Sequence, residues 1–189
     1  MTAHRLMAKY NYDDLVWNHI SARCGATAEN EDEECCDINP NTYLITPGGL
    51  HFSEIRDEDL VFDSIEENGN IIHSGIYAKR KDVRAIIHAH TPAVMAVGVL
   101  EDGFVHLTQD SAAFYKKIGY HDWEGYHTSD EEKERVAKNL GQGDILFLRN
   151  HGAVVVGRSI QEAFVKYYYV SSCLLFACCV DMNATNCGF

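Results

Sequence analysis

The sequence predicts an α/β fold, a mixed sheet with helices packed on both faces. Three observations predict it. Apolar residues switch between strand-like runs and helix-like spacings along the whole chain, so helices and strands interleave. The connections are of two kinds, some hairpin-like and others crossover-like. The 189 residues, 46% of them hydrophobic, are enough for one sizeable core. We read residues 1–189 as a single domain, because no repeat or Pro/Ser-rich linker divides it.

Each element has its own warrant. Leu6, Met7 and Tyr10 share a helical face, and Asp13-Asp14 can cap a second short helix carrying Leu15, Val16 and Trp17. Asn18 to Arg23 reads as the entry to the first strand. Glu29 to Asp37, rich in carboxylates, reads as an exposed hairpin loop or insertion, better suited to solvent than to a cation. Thr42 to Thr46 is a second strand, ended by Pro47-Gly48-Gly49, a breaker that lets backbone amides approach a ligand or merely makes a turn. Leu60 to Asp63 is a short strand. Gly69 to Lys79 is a helix with Ile72, Ile76 and Tyr77 inward. Val83 to His90 is a buried strand. Thr91-Pro92 starts a helix running to about Leu100, with a hydroxyl N-cap and proline at the first position. Phe104 to Leu107 reads as a strand. Two capping boxes, Ser129-x-x-Glu132 and Ser159-x-x-Glu162, open helices. The first helix ends near Leu140-Gly141. The second carries Ala163, Phe164, Tyr167, Val170, Leu174 and Ala177 as a core or subunit-contact stripe. Ile145 to Leu148 and Ala153 to Val156 are strands flanking His151.

Charge excludes some partners. With 28 acidic and 16 basic residues, the net charge of −12 opposes nucleic acid and anionic membrane surfaces. The start, Met1 to Arg5, lacks a signal-peptide core, and the apolar run Cys173 to Val180 is too short to span a bilayer. Seven cysteines without a C-x-x-C spacing show no disulfide framework or zinc ribbon, and fit reduced thiols in the cytoplasm. Cys35-Cys36, in the acidic loop, offers a weaker redox or soft-metal reading.

The chemistry centres on His88 and His90. Strand side chains alternate, so these two point the same way. Paired imidazoles at the end of a buried strand are costly unless their nitrogens are satisfied, and a divalent metal satisfies them. His151 ends a second apolar strand just before a glycine. Three histidines and an open position make the usual catalytic zinc geometry. The alternative, hydrogen-bonded core histidines, suits one histidine better than it suits this combination.

These residues resemble the class II aldolase/adducin family. The resemblance runs through Asn18-His19-Ile20-Ser21-Ala22-Arg23, Tyr43 to Leu50, His73 to Tyr77, Asp82-Val83, His88-Ala89-His90-Thr91-Pro92, Tyr120 to Gly125 and Leu148 to Gly152. It covers nearly the whole chain and lies closer to the adducin head branch than to the sugar-phosphate aldolases. It implies a three-layer α/β/α sandwich with a mixed, largely antiparallel sheet, a cyclic homotetramer with sites near subunit interfaces, and one Zn2+ per chain on His88, His90 and His151. It also implies substrate contacts at Pro47, Gly48, Gly49 and His19, the last in place of an aldolase asparagine. In the aldolase branch zinc binds the hydroxyl and carbonyl oxygens of a ketose phosphate and stabilises the enediolate left by C–C cleavage.

The chain departs from that pattern where the aldolases carry their acid/base glutamate. The matching place, four residues before His73, is Gly69. A gap would bring Glu67 or Glu66 there, with Glu67 nearer the helix start. The phosphate-binding serines would fall on Glu67 and Asn68, and a carboxylate there repels phosphate. An assisting tyrosine would fall near Thr108, and the tail that supplies another would have no counterpart after Phe189. His73 reads equally as a group behind the metal ligands or as a helix residue facing a polar cleft. His121, Asp122 and Glu124, beside Trp123 and Tyr126, read as a structural loop at a subunit contact.

The expectation is therefore a cytoplasmic, zinc-binding, homo-oligomeric protein of adducin-head type with a degenerate aldolase site. It leaves room for a cytoskeletal partner, with neither nucleic acid nor membrane insertion. The alternative is a zinc-dependent aldehyde-lyase or related enolising enzyme on a small, unphosphorylated hydroxycarbonyl or sugar substrate.

Overall fold

The computed structural model describes residues 1–23, 41–65, 70–125 and 129–184, with side chains as far as Phe176. Seven strands form one sheet: β1 (His19–Arg23), β2 (Thr42–Ile45), β3 (Val61–Ser64), β4 (Ala85–Ala89), β5 (Ile118–His121), β6 (Ile145–Leu148) and β7 (Gly152–Gly157). Their order is β3-β2-β1-β4-β7-β6-β5. Every pairing is antiparallel except β5 with β6. The helices are α1 (Thr2–Lys9), α2 (Ile71–Lys79), α3 (Pro92–Gly98), α4 (Gln109–Ala112), α5 (Asp130–Leu140) and α6 (Ile160–Ala184). Among the described residues, no helix is long and apolar enough to cross a membrane.

The expected mixed sheet with helices on both faces is present, and β4 shows why. All five of its residues are buried, as an apolar run predicts for a central strand. Ala85, Ile87 and Ala89 join Met7, Val94, Val97, Tyr167, Val170 and Leu174 in one core, under α1, α3 and α6. Ile86 joins Ile72, Ile76, Tyr77, Val136 and Leu140 in the other, under α2 and α5. His88 has the parity of Ile86, so strand alternation alone aims it at the α2 side.

Several local expectations need correction. No helix forms at 13–17. The chain makes a turn instead, with Trp17 N–H donating to the Asp14 carbonyl at 3.1 Å and Leu15 in the left-handed region at φ 47°. Residues 104–107 join no strand, and α3 stops at Gly98. The Glu132 backbone N–H does reach Ser129 Oγ, but the Glu132 carboxylate turns away from the cap and lies 3.6 Å from the buried His121 Nε2. The second box is shifted likewise: Glu162 accepts from the Arg158 N–H, one residue before the N-cap. The pattern missed α4 and β5, both short. The acidic stretch 29–37 and Cys35-Cys36 lie outside the described residues, and Cys173 is a free buried thiol.

Candidate metal centre

The register brings four chain segments to one end of the sheet. His19 pairs with His88 across β1 and β4, Ala89 with Ala153 across β4 and β7, and Leu148 with Gly152 across β6 and β7. The β6–β7 turn is tight. His151 N–H donates to the Leu148 carbonyl at 3.1 Å, and Asn150 takes φ 58°, a conformation asparagine tolerates. That turn swings His151 back over the strand ends. The ring centroids of His88, His90 and His151 are then 4.6–4.8 Å apart, and one nitrogen from each lies within 4.8 Å of the others. Gly152 makes room for this. A Cβ there would sit 2.5 Å from His90 Cδ2 and 2.8 Å from the Ala89 carbonyl oxygen.

Burial sets the protonation. It pushes the His88 pKa well below the ordinary histidine value, helped by the neighbouring histidines. It lowers His90 as well, against the Asp14 carboxylate, which pulls the other way. Neutral rings keep one lone pair each. His88 Nδ1 donates to the Ala153 carbonyl at 3.1 Å, which leaves its Nε2 bare. That Nε2 lies 2.9 Å from His90 Nε2, and His90 Nδ1 lies 3.6 Å from Asp14 Oδ2.

Neutral His90 has two tautomers. With its proton on Nε2, the bare Nδ1 faces a carboxylate. With its proton on Nδ1, two lone pairs oppose each other at Nε2. A cation held by these rings would remove the second conflict, so the donor set fits a divalent metal.

A second array lies behind the first. His19 Nδ1 is 2.7 Å from His73 Nε2, and the His19 ring is 4.7 Å from that of His88. His73 Nδ1 is 2.5 Å from Ser21 Oγ, which is 2.9 Å from the Tyr77 hydroxyl. His73 is fully buried and its pKa is driven down by burial and then by His19, so it is neutral. The structure thus places His73 behind His19, with its ring turned into a polar chain.

Around this centre the expected residues are distributed unevenly. Trp123, 46% exposed, sets its ring edge-on to His151 at 5.8 Å. Pro47, Gly48 and Gly49 follow β2 at the same end of the sheet. Gly49 has φ 89°, and side chains added at Gly48 or Gly49 would meet nothing within 4 Å. Glu66, Glu67 and Gly69 lie outside the described residues. His121 takes part in helix packing, with Nδ1 2.9 Å from Asn139 Nδ2 on α5.

Sequence reasoning read Asp14 as a helix cap and Tyr77 as an inward-facing helix residue, and gave neither Ser21 nor Tyr77 a place at the site. A signal for both existed. Ser21 is two residues from His19 on a strand, and Tyr77 is four from His73 on a helix, so each shares its histidine's face.

The family model for the class II aldolase and adducin N-terminal domain matches residues 1–177. Alpha-adducin of Rattus norvegicus is 33% identical over 95% of this chain, which spans 24% of that protein's length. The structure of an aldolase II superfamily protein from Pseudomonas syringae aligns with TM-score 0.82 and 29% identity, covering 96% of this chain and 73% of that one. L-fuculose 1-phosphate aldolase from Glaciozyma antarctica PI12 shares the fold at TM-score 0.76 and 24% identity, covering 99% and 72% of the two chains. The convergent histidines stand on a family scaffold: this chain belongs to the class II aldolase and adducin N-terminal domain family.

Proposed function

We propose that this protein binds one zinc ion per chain on His88, His90 and His151, and uses it as a lyase or related enolising enzyme on a small, unphosphorylated hydroxycarbonyl compound. One observation carries the reading: one nitrogen from each of His88, His90 and His151 lies within 4.8 Å of the others, and the Nε2 atoms of His88 and His90 face each other at 2.9 Å. Zinc bound there supplies Lewis-acid polarisation of a carbonyl or hydroxyl oxygen. His19, held by His73, is the polar side chain beside the centre suited to orienting a substrate hydroxyl. Pro47, Gly48 and Gly49 offer backbone with open space, and Trp123 walls one side. Proton transfer is assigned to Glu67 or Glu66. Asp14 places a carboxylate beside His90, and the chain carries −12 overall, which acts against a phosphate dianion.

A second reading, a cytoplasmic homo-oligomeric assembly module of adducin-head type, is favoured by a separate observation. Leu15, Trp17, Tyr115, Leu175 and Phe176 are each at least half exposed, apolar side chains that a contact between copies would cover. Homotetramer formation belongs to this proposal, and a cytoskeletal partner only to this second reading.

The test is metal analysis followed by turnover. Protein purified without added zinc should carry about one zinc per chain, and His88→Ala should carry none. Aldehyde release from unphosphorylated hydroxyketones should stop with chelator and return with zinc. A wild-type protein that neither holds nor takes up zinc ends the proposal. Stoichiometric zinc without turnover on any hydroxycarbonyl compound leaves the assembly reading.

A further inference from the structure

We infer that Asp14 is a positioning residue for the metal centre, the carboxylate that orients His90 and selects its tautomer. The inference rests on the zinc site proposed above. Each ligand of such a site needs its outer nitrogen held, so that the inner one presents a lone pair in a fixed direction. For His88 a backbone carbonyl does this, at Ala153. For His90 the group behind the ring is a carboxylate, with Asp14 Oδ2 3.6 Å from Nδ1. The two holders differ in effect: a carbonyl only orients, whereas a carboxylate also raises the basicity of the ring and offsets ion charge.

The backbone of this segment sets the position of the carboxylate. Asp14 begins a turn closed by Trp17 N–H, and the next residue, Leu15, sits at φ 47°, where a side chain is rarely found. Four residues on, Asn18 is buried and its Oδ1 accepts from the His90 backbone N–H at 3.3 Å. One short segment therefore meets His90 twice, by the hydrogen bond from its backbone N–H to Asn18 and by the Asp14 carboxylate, 46% exposed, at 3.6 Å from its ring. A helix over 13–17, which the sequence favours, would forgo that turn. Asp13 is the natural comparison: it lies next in the chain but pairs with His51 Nε2 at 3.1 Å instead.

The experiment measures zinc affinity by chelator competition on the full chain, for wild type, Asp14→Asn, Asp14→Glu and Asp13→Asn. Cobalt-substituted spectra and the melting of metal-free protein are recorded alongside. Asp14→Asn should still bind one zinc, but about 10- to 100-fold more weakly. Its cobalt bands should shift while its metal-free melting stays that of wild type, and Asp14→Glu should recover part of the loss. Asp13→Asn should match wild type. Wild-type affinity in Asp14→Asn, or an equal loss in Asp13→Asn, overturns the inference and leaves the zinc site standing. A wild-type chain that takes up no zinc removes the site itself.

Discussion

At the scale of single residues, the centre depends on which atoms are missing as much as on which are present. Gly152 lacks the Cβ that would strike His90 and the Ala89 carbonyl. Gly152→Ala should therefore displace the His90 ring and sharply reduce zinc content, while far-UV circular dichroism stays that of wild type. Full zinc content would show that the ring can yield.

Buried His4 makes a separate prediction, because its Nε2 is 2.8 Å from Thr46 Oγ1 and burial, then the N-terminus and Arg5, lowers its pKa to about 4. The unfolded chain titrates this group at 6.5, so between 6.5 and 4 it binds more protons than the folded one. Stability is full above 6.5 and falls as pH drops towards 4. From pH 7.5 to 4.5 this group should account for a loss of about 2 kcal/mol. Denaturation of metal-free protein at the two pH values should show that loss in wild type but not in His4→Gln, whose amide can keep the bond to Thr46. Equal losses in both would place the titration elsewhere.

At the scale of elements, α3 and α6 hold the sheet end that carries the site. Thr91 Oγ1 caps α3 by accepting from the Val94 N–H, one residue after His90, and Pro92 follows it. Thr91→Ala should cost about 1 kcal/mol in urea unfolding. Leu174 on α6 is 1% exposed in the core that includes Ala89 and Ala153. Leu174→Ala should cost about 2–5 kcal/mol. A loss under 0.5 kcal/mol on the same scale would show the helix packs loosely. The capping boxes teach a finer lesson. Both serines cap as expected, but the Glu132 carboxylate lies 3.6 Å from the buried His121 Nε2.

At the scale of the whole molecule, the proposed assembly would cover exposed apolar side chains. Leu175 and Phe176 are 62% and 50% exposed near the end of the described side chains on α6. Light scattering should give a mass above one chain, and Leu175→Asp with Phe176→Asp should lower it without loss of helix content. A monomeric wild type would count against the homotetramer.

By itself the sequence determined the mixed sheet, most of its strands and longer helices, the family, and the face on which His88 lies, because hydrophobic period, breakers and strand alternation are local properties carried in the residues. It also singled out His88, His90 and His151, since two imidazoles on one strand and a third beside a turn are chemically conspicuous. Only the tertiary structure decided that His19 lies across from His88, that His73 backs it through Ser21 and Tyr77, and that Asp14 turns from a helix cap into a partner of His90. Those pairings join residues 52 to 76 positions apart. Their geometry is set by strand register and by a left-handed turn at Leu15, neither of which a local pattern encodes.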